Sequence, residues 1–211
     1  MTGPLDGLRV IDNTDDSGRF ATKLLTGMGA DVVRIGSQGS AGADMAGAAA
    51  QRGGVLSWWL DGWKRRSPLD LDREQDRRTY RRLVSVADLV IETEQPGRLG
   101  SLGIDHIDLL DVNETLVQVS ITPFGRTGPR AHWQGSDLVS AALGGVMSVT
   151  GLPDRPLNVW GRQTHNYAGF MGAICGLAGV RAARLDGQGR HADVSIHELV
   201  AGSIENIFMQ W

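Results

Sequence analysis

The 211-residue chain has one cysteine, Cys175. A single thiol excludes an internal disulfide framework and suits a reducing, cytoplasmic compartment. Cys175 lies in the run MGAICGLAGV, among small and apolar residues, which fits packing better than nucleophilic chemistry. Lysine is scarce as well. Lys23 and Lys64 are the only two, and the other 19 basic residues are arginines. Arginine grips phosphate with a planar fork, although genome base composition also drives such a bias. A net charge of −3 gives no basic footprint for nucleic acid. No run approaches the ~18 apolar residues of a membrane-spanning helix, and the charged-then-apolar start of a signal peptide is missing. No internal repeat and no metal-ligand set is read. GxGxxG is absent from the first strand–helix turn, where only Gly18 stands, so a dinucleotide fingerprint is not supported.

What remains is an ordinary globular composition, 41% apolar and 21% charged, long enough for one sizeable core. Leu8 to Asn13 predicts a strand, Arg19 to Met28 a helix capped by Asp15, Asp16 or Ser17, and Asp31 to Ile35 a second strand. Gly29 takes the C-terminal glycine position between them. This βαβ spacing predicts parallel strands with a right-handed crossover. Residues 36–54 (GSQGSAGADMAGAAAQRGG) form a long glycine-rich loop. Trp58, Trp59 and Trp63 follow, with Lys64, Arg65 and Arg66 behind them. Such a group either stacks a flat ring and binds its phosphates or packs on the sheet with its cations solvated.

Asp72 to Val86 predicts an amphipathic helix capped by Asp72. Strands follow at Asp88 to Glu92 and Leu116 to Ile121, with a short helix over Ile104 to Asp111 between them. From Thr122 to Gly135 the chain is glycine- and proline-rich, and Ser136 or Asp137 caps a small-residue helix. A strand that empties through a glycine-rich loop onto a helix N-terminus is where open α/β sheets place ligands; an ordinary βα connection reads the same way. Leu152 to Pro156 is a turn. Gln163 to Leu185 is a long helix whose small residues Gly169, Gly172, Ala173, Gly176 and Gly179 let another backbone approach closely, His191 to Val194 is a strand, and residues 195–211 are a final helix with an apolar end. That end fits a partner that covers it, or a chain that is the front part of something longer.

Taken together, several stretches resemble the class III CoA-transferase family: GPLDGLRVIDNT, ATKLLTGMGADVVRIG, KRRSPLDL, ADLVIETEQPGRLGSLGI, SITPFGRTGP, GSDLVSAALGG, VTGLPDRP and GQGRHADVSIHE. The resemblance covers nearly the whole chain in order. It implies a Rossmann-like α/β fold, an open and mainly parallel sheet with helices on both faces, corresponding over residues 1–211 to the N-terminal portion of the family's large domain. The small second domain that follows in the family is lacking. It further implies coenzyme A or an acyl-CoA as ligand, with no covalently bound cofactor, and an intertwined homodimer or a hetero-oligomer with a related chain. Its transferases use an aspartate carboxylate as nucleophile; its racemases use that aspartate with a histidine. Carried over by motif, the aspartate position is His165 here, and the racemase histidine is Ser136, before Asp137.

His165 and Asp137 are therefore the catalytic candidates, His165 either as base or acyl acceptor or as a structural histidine. The CoA candidates are Asp16, Arg19, Arg34, Gln38, Lys64, Arg65, Glu92, Thr93, Pro96 and Gly97, with Arg34, Lys64 and Arg65 as the phosphate cations. Where the family has Asn-Phe after the third strand's Glu, this chain has Thr93-Glu94; the acidic residue usual after the second strand is replaced by Gly36. Three functions follow. The chain transfers CoA only with a partner, it moves protons on an acyl-CoA as an isomerase, dehydratase or racemase does, or it is a non-catalytic structural or regulatory subunit.

Overall fold

A computed structural model describes residues 3–36 and 53–204. One six-stranded sheet is built from β1 (Arg9–Asn13), β2 (Asp31–Ile35), β3 (Arg65–Ser67), β4 (Leu89–Glu92), β5 (Val117–Thr122) and β8 (Arg190–Ser195). Their order is β3-β2-β1-β4-β5-β8, and every neighbouring pair is parallel. Gly151–Leu152 and Arg155–Pro156 (β6 and β7) pair as a small antiparallel hairpin where the sequence indicated only a turn.

Helices cover both faces, as parallel strands buried on two sides require. On one face α1 (Arg19–Gly27) lies beside α7 (Gln163–Asp186), over a core that includes Val10, Leu25, Ile91, Val119 and Ile121. The other face packs Tyr80 and Val84 of α3 (Glu74–Val84), Leu99 of α4 (Arg98–Ser101) and Leu109 of α5 (His106–Leu109) on Ile11, Val90 and Leu116. The remaining described helices are α2 (Gly53–Asp61), α6 (Asp137–Leu143) and α8 (Ile196–Ser203).

Several local readings change. Gly18, not an acidic residue, is the α1 N-cap, and no side chain caps it; Asp15 instead accepts from Ser17 N at 2.8 Å. Arg73 rather than Asp72 precedes α3, because Asp72 is taken by Arg98 at 3.1 Å. Leu69 and Leu71 are buried just after β3. α2 starts at Gly53, inside the stretch read as a glycine-rich loop, and residues 37–52 of that stretch lie outside the described residues. The final helix is described from Ile196 to Ser203, after Ser195, which accepts from Glu198 N at 3.3 Å.

By length and composition the 24-residue α7 is apolar enough to span a bilayer, which the sequence reading missed; here its glycine face is buried on the sheet. A Cβ built on Gly169 would meet Ala21 N at 2.9 Å, and one on Gly176 would meet Leu89 Cδ2 at 2.8 Å. Glycine here allows α1 and the strands to approach closely. Gly169→Ala is expected to cost about 1–3 kcal/mol, because the atom it strikes is backbone. Gly176→Ala meets a side-chain methyl that can shift and gains helix propensity of about 1 kcal/mol, so it should be near neutral. Urea unfolding of the two variants measures the difference.

Candidate functional site

In open parallel sheets, ligands sit outside the carboxyl ends of the strands where the order reverses. Here that point lies between β1 and β4. Thr93 N donates to Asn13 O at 3.3 Å, and Asp15 N donates to the Thr93 hydroxyl at 2.7 Å, joining the two strand exits. Gly18 sits against them; a Cβ there would lie 2.7 Å from Thr93 Cγ2. Pro96 and Gly97 form the next turn, and Gly97, at φ +87, starts α4 in a left-handed conformation that suits glycine.

Beneath the crevice lies a buried ion network. Asp12 ends the apolar run of β1 and is fully enclosed. Its carboxylate accepts from Arg34 Nη1 at 3.1 Å, Lys64 Nζ at 2.8 Å, Thr22 Oγ1 at 2.8 Å and Thr14 Oγ1 at 2.6 Å. Asp61, buried at the end of α2, takes Lys64 Nζ at 2.9 Å and the Arg19 guanidinium. Burial works to raise both carboxyl pKa values. For Asp12 the charges of Lys64 and Arg34 more than reverse it; for Asp61 Lys64 and Arg19 do so. Both acids stay ionised, as a buried charge requires matching partners.

Of the three cations expected to meet phosphates, Arg34 and Lys64 are thus enclosed and paired with carboxylates of the chain. Arg65 is exposed but reaches Asp31, at the opposite, N-terminal end of β2. Gln38 lies outside the described residues.

Glu92 is also shut in. Glu94 N donates to its Oε2 at 2.6 Å, and Arg126 Nη1 lies 3.4 Å from Oε1, while the other end of that guanidinium grips Asp105. Burial pushes the Glu92 carboxyl up to about 7, against Ser120, the Glu94 N–H and Arg126. An unfolded chain ionises this group near 4.5. The folded chain therefore holds a proton that the unfolded chain releases between those values. Its contribution to stability is complete below pH 4.5 and is lost as pH rises through 7, roughly 3 kcal/mol at about 1.4 kcal/mol per unit. Glu92→Gln should remove that decline, measured as urea midpoints at pH 5 and pH 8.

At the other side of the crevice the start of α7 meets α6. Asp137, in the first turn of α6, accepts from Thr164 Oγ1 at 2.7 Å, from Thr164 N at 3.0 Å and from Asn158 Nδ2 at 3.2 Å. Ser136 caps α6 through Val139 N at 3.3 Å. His165 follows Thr164, so the fold brings both catalytic candidates together. The imidazole is half-buried, and its Nδ1 is enclosed with no hydrogen-bond partner among the described residues. Burial lowers the His165 pKa, opposed by the nearby Asp137 and Asp15 carboxylates. The ring is therefore kept neutral at neutral pH. Asp16 accepts from Arg19 at 2.8 Å and from Arg162 at 2.6 Å. Arg162 itself holds φ +55, a left-handed conformation, just before α7.

Asp12, Asp61, Arg126 and Arg162 were not singled out from sequence. An aspartate ending an apolar strand run, Asp12 in LRVID, was the one available signal that buried cations lay nearby. Among the described residues, no group of three or more His, Cys, Asp or Glu side chains is arranged to hold a metal ion.

The model of CoA-transferase family III matches residues 5–211. The chain belongs to CoA-transferase family III. Among curated relatives, it is 33% identical to the BbsE subunit of succinyl-CoA:(R)-benzylsuccinate CoA-transferase from Thauera aromatica, over 96% of this chain and 51% of that one. It is also 33% identical to acetyl-CoA:oxalate CoA-transferase from Acetobacter aceti, over 99% of this chain and 55% of that one. Among solved structures, a CaiB/BaiF family protein from Brucella suis superposes with a TM-score of 0.89 at 29% identity, covering 100% of this chain and 57% of that one. The chain spans about half the length of the curated relatives it matches. Coenzyme A is the substrate these family III relatives are named for.

Proposed function

We propose that the chain binds CoA or an acyl-CoA at the β1–β4 crevice and takes part in transfer of CoA between carboxylic acids only with a partner chain that supplies the nucleophile. The observation that carries this reading is His165. Carried over by motif, it takes the position where the family's transferases place their aspartate, and no Asp or Glu lies between Arg155 and Leu185. An aspartate carboxylate attacks the acyl-CoA thioester to give a mixed anhydride, and returning CoA thiolate then makes an aspartyl thioester. Imidazole has no carbonyl carbon on which to build that thioester. It can accept the acyl group, but water hydrolyses an acyl-imidazole. A neutral ring whose Nδ1 has no partner among the described residues agrees with a residue beside the reacting end that does not replace the carboxylate.

Two relatives support a hetero-oligomer over a homodimer as the arrangement. The BbsE protein and the beta chain of succinyl-CoA–L-malate CoA-transferase from Chloroflexus aurantiacus are named as subunits. The test is a transfer assay from succinyl-CoA to free acids with the chain alone and with a co-expressed family III chain. The expected result is turnover only in the pair, retained when His165 is changed to Ala. Turnover by the single chain, lost in His165→Ala, would overturn the proposal.

A second reading rests on the closeness of a neutral His165 to Asp137 and Asp15, a pairing suited to removing a proton α to a thioester. It expects the chain alone to exchange that proton with deuterium from solvent.

A further inference from the structure

Next to His165 the chain forms a pocket of about 320 Å³. Phe20 of α1, Leu56, Trp59 and Leu60 of α2, and Trp160 and Asn166 around the start of α7 line it, above the Asp16–Arg162 ion pair. Phe20 and Trp59 stack with centroids 5.9 Å apart and planes 23° from parallel. Trp160 stands 92% exposed at the rim. We infer that this pocket takes the aryl end of an aromatic acyl thioester.

The wall chemistry favours a ring over the alternatives. Asp16 already accepts from Arg19 and Arg162, and the Asn166 amide donates to Gly161 O at 3.0 Å. Charges that cancel within the wall do not single out the second carboxylate of a dicarboxylic acyl group. Three aromatic faces and two leucines favour a ring, which stacks offset or edge-on against them. A cavity of about 150 Å³ lined by apolar side chains holds benzene, so 320 Å³ admits a phenyl ring with its linking carbons. The adenine of CoA is also flat, but it arrives with phosphates. Of the cations near α1 and α2, Arg19, Arg34 and Lys64 are buried and bound to carboxylates, and Lys23 lies over the Trp59 and Trp63 rings, its Nζ 5.4 and 3.8 Å from their centres. Asn166 directly follows His165, which places the pocket at the reacting end of the ligand; the pantetheine arm holds adenine far from there.

The inference rests on the CoA reading for its thioester, and the test separates the two. Intrinsic tryptophan fluorescence of the full chain is titrated with phenylacetyl-CoA, acetyl-CoA, free CoA and phenylacetyl-pantetheine. Phenylacetyl-CoA should bind roughly 10-fold or more tightly than acetyl-CoA, from ring burial and stacking. Trp59→Ala should bring that ratio towards one. Trp160→Ala, a change at an exposed rim that does not touch the core, should reduce it too and serves if Trp59→Ala does not fold. Equal affinity for the two thioesters, with CoA binding intact, would overturn this inference alone. Quenching by phenylacetyl-pantetheine with no binding of CoA would support the pocket and sink the CoA reading. A ratio that both substitutions leave unchanged would place the ring elsewhere and overturn the assignment.

Discussion

Asp12→Ala is expected to destabilise the chain by about 3–5 kcal/mol, the cost of removing one partner from a buried ion pair. The carboxylate is fully enclosed and is shared by Arg34, Lys64, Thr14 and Thr22. Its loss leaves two buried cations with Asp61 as the remaining shared carboxylate. The network joins β1, β2, α1 and the residues between α2 and β3, so the strand exits that form the crevice should loosen along with it. Urea unfolding measures the cost. Asp31→Ala is the control, because Asp31 pairs with exposed Arg65 on the surface and such pairs contribute about 0–1 kcal/mol. Equal costs for the two variants would mean that the buried network does not form.

His165→Asp is expected to create a covalent CoA adduct where the natural chain forms none. Residue 165 lies in the first turn of α7, where the helix dipole favours a carboxylate, and Arg162 lies nearby. The substitution should therefore fold. Attack on an acyl-CoA would form the anhydride and release CoA thiolate; attack of that thiolate on the aspartyl carbonyl would then expel the acyl carboxylate. Intact-mass spectrometry after acid quench reads the outcome directly. The expected change is from no adduct to a substantial fraction of chains carrying CoA. His165→Asn, equal in size but without a nucleophilic carboxylate, should remain unmodified. An unmodified His165→Asp chain that still binds acyl-CoA would show that the thioester does not reach residue 165.

The layer architecture was legible because it depends on short-range patterning. Asp31 to Ile35 is a short run rich in β-branched residues between a helix-ending glycine and a glycine-rich stretch, and β2 has those bounds. The glycine spacing of Gly169, Gly172 and Gly176 announced a close approach, which α1, β4 and β5 supply. The pairing of the cations was not legible. Arg34 and Lys64 read as phosphate ligands because their carboxylate partner Asp12 lies 22 and 52 residues away in sequence. Nothing local distinguishes a cation aimed at a ligand from one aimed at a distant aspartate. The same limit hid the pocket. Phe20, Trp59 and Trp160 come from three separate segments, and only the fold sets them around one space. Trp63, expected among the ring-binding tryptophans, lies instead under Lys23 Nζ, 3.8 Å from its ring centre. Asp137 and His165 were singled out by separate motifs, and their closeness through Thr164 emerged from the packing of α6 on α7.

The central claim is that this family III chain holds CoA without a nucleophile of its own. Native and denaturing mass spectrometry of the purified chain with succinyl-CoA and with an aryl acyl-CoA tests it most directly. CoA should be retained under native conditions, with an unmodified chain mass after denaturation. A covalent acyl or CoA adduct on the unaltered chain, lost in His165→Ala, would contradict it.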